Sequence, residues 1–385
     1  MSGRLFSLLI RRSLGLIGTG ASRRRILFQI LMITLSLSAL VFALIFVTSM
    51  SDAIANKYAL LNSGHLIVHD RVFPTSASYD SHLVGTSYGL IYSKERTALV
   101  FLKGVEDDYL AGRRKDELTI LEESGEPTTL MKVMISKSLA GTLGVRSGEN
   151  LALMIGTEEH VRPTLVRVGA VYDSGYKELD ELLVFTDLSS LVRLGGESVS
   201  FHHEVLLEMD RIEEVRNRLV GEGHRVTTWS DEAPLIAGNL ITSKEATFII
   251  IGLIGLLLGY ATSELVRQMV EDDRRQITVL LLLGSRRRPV GLSYLVAVLI
   301  VTIIALILGT ALGILLAHAV PKVLPLIEKR SLPLFSFYLL RFPVAVPTAR
   351  ILILGALVIL SSAVTVFFSL RRALRRQKIG SLAYD

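Results

Sequence analysis

The chain has 385 residues, half of them hydrophobic and 20% charged, with a mean hydropathy of +0.49, which few soluble domains match. It has no cysteine, which excludes a disulfide framework, a thiol nucleophile and any cysteine-ligated metal. The net charge of +6 is concentrated at the ends of apolar runs, where lipid headgroups account for it, so a nucleic-acid partner is set aside.

Residues 1–25 carry six Arg and no acid. Within them RLFSLLIRRSLGLI (4–17) is amphipathic and is expected to lie along the inner headgroups, with Arg4, Arg11 and Arg12 in water. Gly15, Gly18 and Gly20 would then bend the chain into a first transmembrane helix over 26–50. Ala53-Ile-Ala55 offers a leader-cleavage pattern, but the apolar run exceeds the roughly 7–15 residues of a leader core, so an uncleaved anchor is expected. Arg23, Arg24 and Arg25 abut this helix, which sets the N-terminus in the cytoplasm and the residues from 51 onward outside.

Residues 51–245 hold 20 Lys or Arg against 30 Asp or Glu in a mixed composition, enough for a folded domain with its own core. Beyond it, charge-free runs predict transmembrane helices over 246–263, 290–317 and 351–370. They are joined by a cytoplasmic segment (264–289) and an external loop (318–350), and followed by a basic cytoplasmic tail (371–385). The loop carries Lys322, Lys329, Arg330, Arg341 and Arg350 against the positive-inside rule, and its prolines and apolar residues read as a segment lying along the outer interface. The fold class is therefore an α+β membrane protein: four transmembrane helices, with a large mixed α/β extracytoplasmic domain between the first and second.

Gly255 with Gly259, and Gly309 with Gly313, stand four residues apart, the spacing that lets helices approach closely in lipid. Almost no ionisable residue falls within a span, which disfavours ion-coupled transport.

Catalytic signals fail on context. Gly85-Thr-Ser87-Tyr-Gly89 matches a nucleophile elbow, but it follows a turn-rich stretch and precedes strand-like sequence where the elbow needs strand, then helix. His202 and His203 are adjacent in a strand-like run and would face opposite ways. His65 and His69, in another such run, would stand about 13 Å apart. No catalytic residue, metal site or cofactor is expected. With no phosphate-binding G-x-x-x-x-G-K-[ST], any ATP is bound and hydrolysed by a partner subunit.

The most informative stretch is EDDRRQITVLLLLGSRRRPV (271–290). Its uncharged run, Ile277 to Leu283, rises only about 10 Å as a helix, too short to cross a bilayer. Val266, Val270, Ile277 and Leu281 fall near one helical face. Glu271, Asp272 and Asp273 precede the run and Arg286, Arg287 and Arg288 follow it, which suits a helix dipole running from Glu271 to a stop at Gly284.

This stretch resembles the cytoplasmic signature of FtsX/MacB-type ABC permeases, with Arg274, Arg275, Gln276, Ile277, Leu280, Leu283, Gly284, Arg287 and Arg288 on the pattern. Gln276 stands where the family usually has Glu, and Ser285 where it usually has Ala. VMISKSLAGTLGVRSGENLALMIG (133–156) resembles a family segment that reads strand, helix, glycine turn, strand. RVGAVYDSGYKELDELLVFTDLSSLVRL (167–194) is similar to a segment of LolC/LolE-type lipoprotein-releasing permeases, with Asp173, Gly175, Tyr176, Asp180 and Leu188 among the fitting positions.

The resemblance implies a non-catalytic permease subunit of the bacterial inner membrane, dimeric with a second copy or paralogue. An ABC ATPase would drive it through the signature residues. It also implies lipoprotein or lipid cargo drawn from the outer leaflet and passed to a periplasmic carrier, with Phe46, Met50, Phe248 and Ile249 as lining positions. A MacB-like mechanotransmission exporter and an FtsX-like regulator of periplasmic enzymes are the alternatives.

Overall fold

The computed structural model describes residues 20–70, 73, 79–94, 96–156, 163–282, 287–328 and 343–376. The expected amphipathic segment 4–17 and the tail beyond 376 lie outside them. The chain forms two compact units: residues 1–49, 242–323 and 343–385 make one, and 50–241 with 324–342 the other.

The first unit is built from four long helices, Gly20–Tyr58, Pro234–Asp272, Arg287–Glu328 and Thr348–Arg376. At 1.5 Å per residue they extend about 44 to 63 Å, against roughly 30 Å for a bilayer core. Four stretches are long and apolar enough to cross a membrane: Ile30–Ser63, which runs past the end of the first helix into the turn after it, Pro234–Thr262, Arg288–Val320 and Thr348–Arg372.

The helices outrun the charge-free runs that predict them, because backbone hydrogen bonding continues into polar flanks where no breaker intervenes. Two expectations change on this account. The second helix begins at Pro234, a residue suited to a first helical turn, well before 246. The segment from 318 is not all loop, for the third helix runs on through Pro321 and Pro325 to Glu328. Flanking turns compensate for a proline's missing donor in long apolar helices.

Leu37, Val41, Leu44 and Ile45 of the first helix share one buried cluster with Ile251, Ala305, Leu354 and Val358 from the other three. A second cluster joins Val270 and Ile277 to Val290, Tyr294, Val298, Val366 and Leu370. Thr262, Thr302 and Ser362 meet by hydroxyl contact, with Thr262 Oγ1 2.7 Å and Thr302 Oγ1 3.5 Å from Ser362 Oγ.

The second unit is a ten-stranded sheet. Its strands are β1 (Leu66–Val68), β2 (Asp80–Ser93), β3 (Arg96–Val105), β4 (Thr119–Glu123) and β5 (Met131–Ser136). They continue as β6 (Asn150–Ile155), β7 (Thr164–Asp173), β8 (Leu183–Asp187), β9 (Ser200–Leu206) and β10 (Val226–Thr228). Six of them close on themselves in the order β2, β3, β8, β5, β7, β6 and back to β2. β2 is long enough to take β6 along Gly89–Tyr92 and β9 along Asp80–Thr86. β9 then carries the sheet on through β1 to β10.

Alternation fills the closed ring: Leu151, Leu153 and Ile155 of β6 and Val166 and Val168 of β7 point into one core with Ile91, Val100 and Leu102. The short helix Lys137–Leu143 caps that core with Leu139 and Leu143. Ser136 Oγ accepts from the Leu139 N–H at 3.0 Å to start it, and Gly144 ends it at φ 69°.

The first long helix ends in a π-helical turn, Ala59–Ser63, inside this unit. A fully buried charge network holds that turn. Lys103 Nζ donates to the carbonyls of Leu61 (2.8 Å) and Asn62 (2.9 Å), and Arg114 Nε to that of Leu60 (2.8 Å). Both cations also reach Glu204, at 2.6 Å to Oε1 and 2.9 Å to Oε2, and Tyr109 Oη donates to Oε2 at 2.7 Å.

Burial pushes the Glu204 carboxyl up, but the Lys103 charge, a His202 hydrogen bond and the Arg114 charge outweigh it and hold it at about 2. Burial likewise pulls Lys103 down to about 8 although Glu204 opposes the shift. His65 is lowered to about 4, chiefly by burial, and as a neutral ring it accepts the Leu207 N–H on Nδ1 at 3.3 Å.

Candidate functional site

The signature stretch forms a short helix, Arg274–Leu282, set off from the second long helix by a single turn residue, Asp273. The dipole pattern in the sequence places the start of this helix at Glu271. Instead Glu271 and Asp272 finish the preceding helix, and the new one opens with the Ile277 N–H bonding the Asp273 carbonyl at 2.9 Å. Three successive acids favour such a break, since acids at a helix C-terminus oppose its dipole whereas one at the next N-terminus complements it. Tyr294, on the third long helix, fixes the break by donating its hydroxyl to Asp273 Oδ2 at 2.7 Å.

The two faces of the short helix differ sharply. Ile277 is 1% exposed, and with Val270 it packs on Val290, Tyr294 and Val298 of the third helix and Val366 and Leu370 of the fourth. Opposite it, Arg275, Val279 and Leu282 are exposed, Val279 by 55% and Leu282 by 66%, as is Glu271 at the end of the preceding helix. The spacing of four and three residues puts Arg275, Val279 and Leu282 along one stripe. The segment thus has an inner face wedged into the ends of two spans and an outer face bearing two apolar side chains and an arginine. Arg288 is exposed at the start of the third helix. The backbone at Arg274, Gln276, Leu280 and Arg287 is helical, while Leu283 and Gly284, with the expected helix stop, lie outside the described residues.

The paired glycines sit at helix crossings. A Cβ on Gly309 would lie 2.7 Å from Leu37 Cβ, and one on Gly313 would lie 2.8 Å from Val41 Cβ. On the second helix, a Cβ on Gly259 would meet Ser361 Oγ at 2.3 Å and Ser362 N at 2.9 Å, while Gly255 faces the more yielding Leu354 Cδ1 at 3.0 Å. The first helix therefore packs on the third, and the second on the fourth, at backbone range.

The four lining positions divide. Phe46 stands 5.7 Å from Phe42, ring to ring, and Phe42 and Phe248 both pack against the main helical cluster. Ile249 is 61% exposed, and Met50 falls in the other unit, beside Ala53 and Ile54. The Arg350 guanidinium lies 5.6 Å above the Phe248 ring and pairs with Glu245 at 2.6 Å.

Ser87 lies inside β2, with strand on both sides and no elbow, and the stretch from Asp80 read as turn-rich is strand. His202 and His203 are neighbours on β9, and His202 approaches Glu204 at 3.5 Å. Among the described residues no three His, Asp or Glu side chains group closely enough to hold a metal. Sequence reasoning misses the Lys103–Arg114–Glu204 network. Its traces along the chain are faint: Lys103 follows the apolar run Ala98–Leu102 in β3, while Glu204 follows two histidines in β9 and Arg114 lies in a run of charges.

Comparison with known proteins gives matches at the level of family, sequence and structure. Residues 247–378 match the family of the FtsX-like permease C-terminal domain. Lipoprotein-releasing system transmembrane protein LolC from two strains of Xylella fastidiosa is 23% identical over 269 residues, 66% of this chain and 65% of the relative. The chain thus spans just under two thirds of the length of these curated relatives. The extracellular domain of the noncanonic ABC-type transporter YknZ from Gram-positive bacteria aligns over 43% of this chain and 99% of its own, at 13% identity and a TM-score of 0.27.

Proposed function

The family and LolC matches support membership of the FtsX/MacB/LolC-type ABC permease superfamily, and from that premise we propose that the chain is a membrane permease subunit driven by a separate ATPase. Two copies, or one copy and a paralogue, would pair with two ATPase subunits. The observation that carries the reading is the two-faced helix Arg274–Leu282. Its exposed stripe suits a protein partner, with apolar anchors at Val279 and Leu282 and a cation at Arg275. Its buried face is seated between two spans through Ile277 and Tyr294, so a push on the stripe is delivered to those spans rather than absorbed in a loop.

The chain sits in the bacterial inner membrane on this reading. The arginines in the first turns of the first helix and those at Arg371 and Arg372 favour cytoplasmic termini, and the sheet unit then lies in the periplasm. The resemblance to LolC supports lipoprotein or lipid cargo released from the outer leaflet, to a periplasmic carrier. Withdrawing acyl chains from lipid costs about 0.8 kcal/mol per CH₂, a load that calls for ATP. Phe46, Met50, Phe248 and Ile249 are the positions proposed to meet those chains.

Since the chain has no native cysteine, a single Leu282→Cys in native membranes gives an unambiguous crosslink. A nucleotide-dependent adduct with an ATPase subunit is expected. A Leu282→Cys chain that crosslinks to no ATPase in any nucleotide state would overturn the reading.

A further inference from the structure

The end of the first long helix is held more firmly than packing requires. Three consecutive carbonyls of its π-helical turn, at Leu60, Leu61 and Asn62, are bonded by Lys103 and Arg114. A helix C-terminus carries partial negative charge on such carbonyls, which explains why cations bind there. The two cations come from different places, Lys103 from β3 in the closed ring and Arg114 from the short 3₁₀ helix Gly112–Glu117. Both converge on Glu204 of β9, which lies in the extension of the sheet outside the ring.

Tyr109 closes the set, its hydroxyl on Glu204 and its ring 3.7 Å from the Arg114 guanidinium. The chain then leaves the turn through Gly64 at φ 75°, where a Cβ would lie 2.8 Å from that of Glu204. One helical turn earlier, Lys57 Nζ bonds the Ser174 carbonyl and pairs with Glu117 at 3.2 Å.

Stability alone does not account for this arrangement. Buried ion clusters are often replaced by apolar side chains of similar volume at no loss of stability. Ions in a dry interior provide direction instead, because each bond has one geometry and breaking any one strands a charge.

We propose that Lys103, Arg114 and Glu204 form a stiff joint, making the end of the first helix, the closed ring and the β9–β1–β10 extension move as one body, so that displacement of the helix reaches the whole domain undiminished. This deepens the permease reading and, in its coupling role, rests on it. The three are positioning residues that act through the turn they hold.

The test uses the full chain in lipid nanodiscs, with spin labels at Asp52→Cys and Thr97→Cys. These report the helix end against the ring in a chain without native cysteine. The unaltered network should give one narrow distance distribution. The triple variant Lys103→Met, Arg114→Met, Glu204→Leu keeps apolar volume, and should at least double the width while the protein still melts cooperatively. If the triple variant does not fold, Arg114→Met, which frees the Leu60 carbonyl, should broaden the distribution to a smaller degree. An unchanged width in a folded variant overturns the joint.

A second arm uses the chain with its co-purified ATPase and measures release of a fluorescent triacylated lipopeptide per ATP hydrolysed. The triple variant should hydrolyse ATP yet release at least tenfold less lipopeptide per ATP, and a wild-type ratio overturns the coupling role. Failure of the unaltered chain to retain any ATPase would sink the permease reading instead, leaving the distance measurement to decide the joint.

Discussion

Lys103 Nζ lies 2.6 Å from Glu204 Oε1, and both side chains are wholly buried. Removing one partner leaves an uncompensated charge in a dry interior, at a cost of about 3–5 kcal/mol. Glu204→Gln should therefore lower the stability of the sheet unit steeply, and by more than the triple apolar variant, which strands no charge and leaves only the Leu60, Leu61 and Asn62 carbonyls without their donors. Denaturant titration followed by the fluorescence of Trp229, the one tryptophan, measures both. Equal losses in the two variants would refute the argument.

The same pair sets a pH dependence. Glu204 titrates at about 2 when folded, against 4.5 for an ordinary glutamate. Its contribution is complete above pH 4.5 and drains away as the pH falls toward 2. Lys103 acts at the alkaline end. Its folded value of about 8 lies below the usual 10.5, so the unfolded chain binds that proton more tightly and stability rises between pH 8 and 10.5. Replacing Lys103 with Met should flatten the alkaline rise in a denaturation series.

Asp180 shows the opposite sign. Burial raises its carboxyl to about 6 from 3.8, despite a hydrogen bond from the Ser174 N–H at 3.2 Å. The folded state binds this proton more tightly, so stability declines as the pH climbs from about 4 to 6 and then levels. Asp180→Asn keeps an acceptor for Ser174 and should abolish that decline. A slope unaltered in the variant would assign it to another group.

Substitutions at the glycine crossings should rank by what the new atom meets. Gly309→Ala and Gly259→Ala push against Leu37 Cβ and against Ser361 with the Ser362 backbone, and should cost about 1–3 kcal/mol as overpacking. Gly255→Ala meets the movable end of Leu354 and should cost less. Thermal melts in detergent test the order, and a Gly255 variant as unstable as the Gly309 variant contradicts it.

On the short helix, the two faces should separate stability from coupling. Ile277→Ala removes a side chain packed against two spans and should cost about 2–5 kcal/mol. Leu282→Ala, on the exposed stripe, should leave stability within about 0.5 kcal/mol and, if the proposed permease role holds, weaken retention of an ATPase on purification.

Some of this is legible along the chain. Four apolar runs mark helices able to span a membrane, because a bilayer demands continuous apolarity and that is written residue by residue. Strand and helix periodicity around Ser136, Gly144 and Gly148 is equally local, since caps and turns act over a few positions. The ring closure of β6 onto β2 is not legible, because pairing between strands some sixty residues apart leaves no mark at either one. Nor can the sequence show that Asp273 ends one helix and opens the next, with Tyr294 holding the break.

Apolar segments, crowded charges and short motifs can all be read along the chain, because each depends only on neighbouring residues. Which face of Arg274–Leu282 is buried, and that Lys103, Arg114 and Glu204 meet at the end of the first helix, follow from the folded arrangement instead. Burial and charge pairing depend on residues distant in sequence, and a charge reads as solvent-facing until the fold supplies its partner.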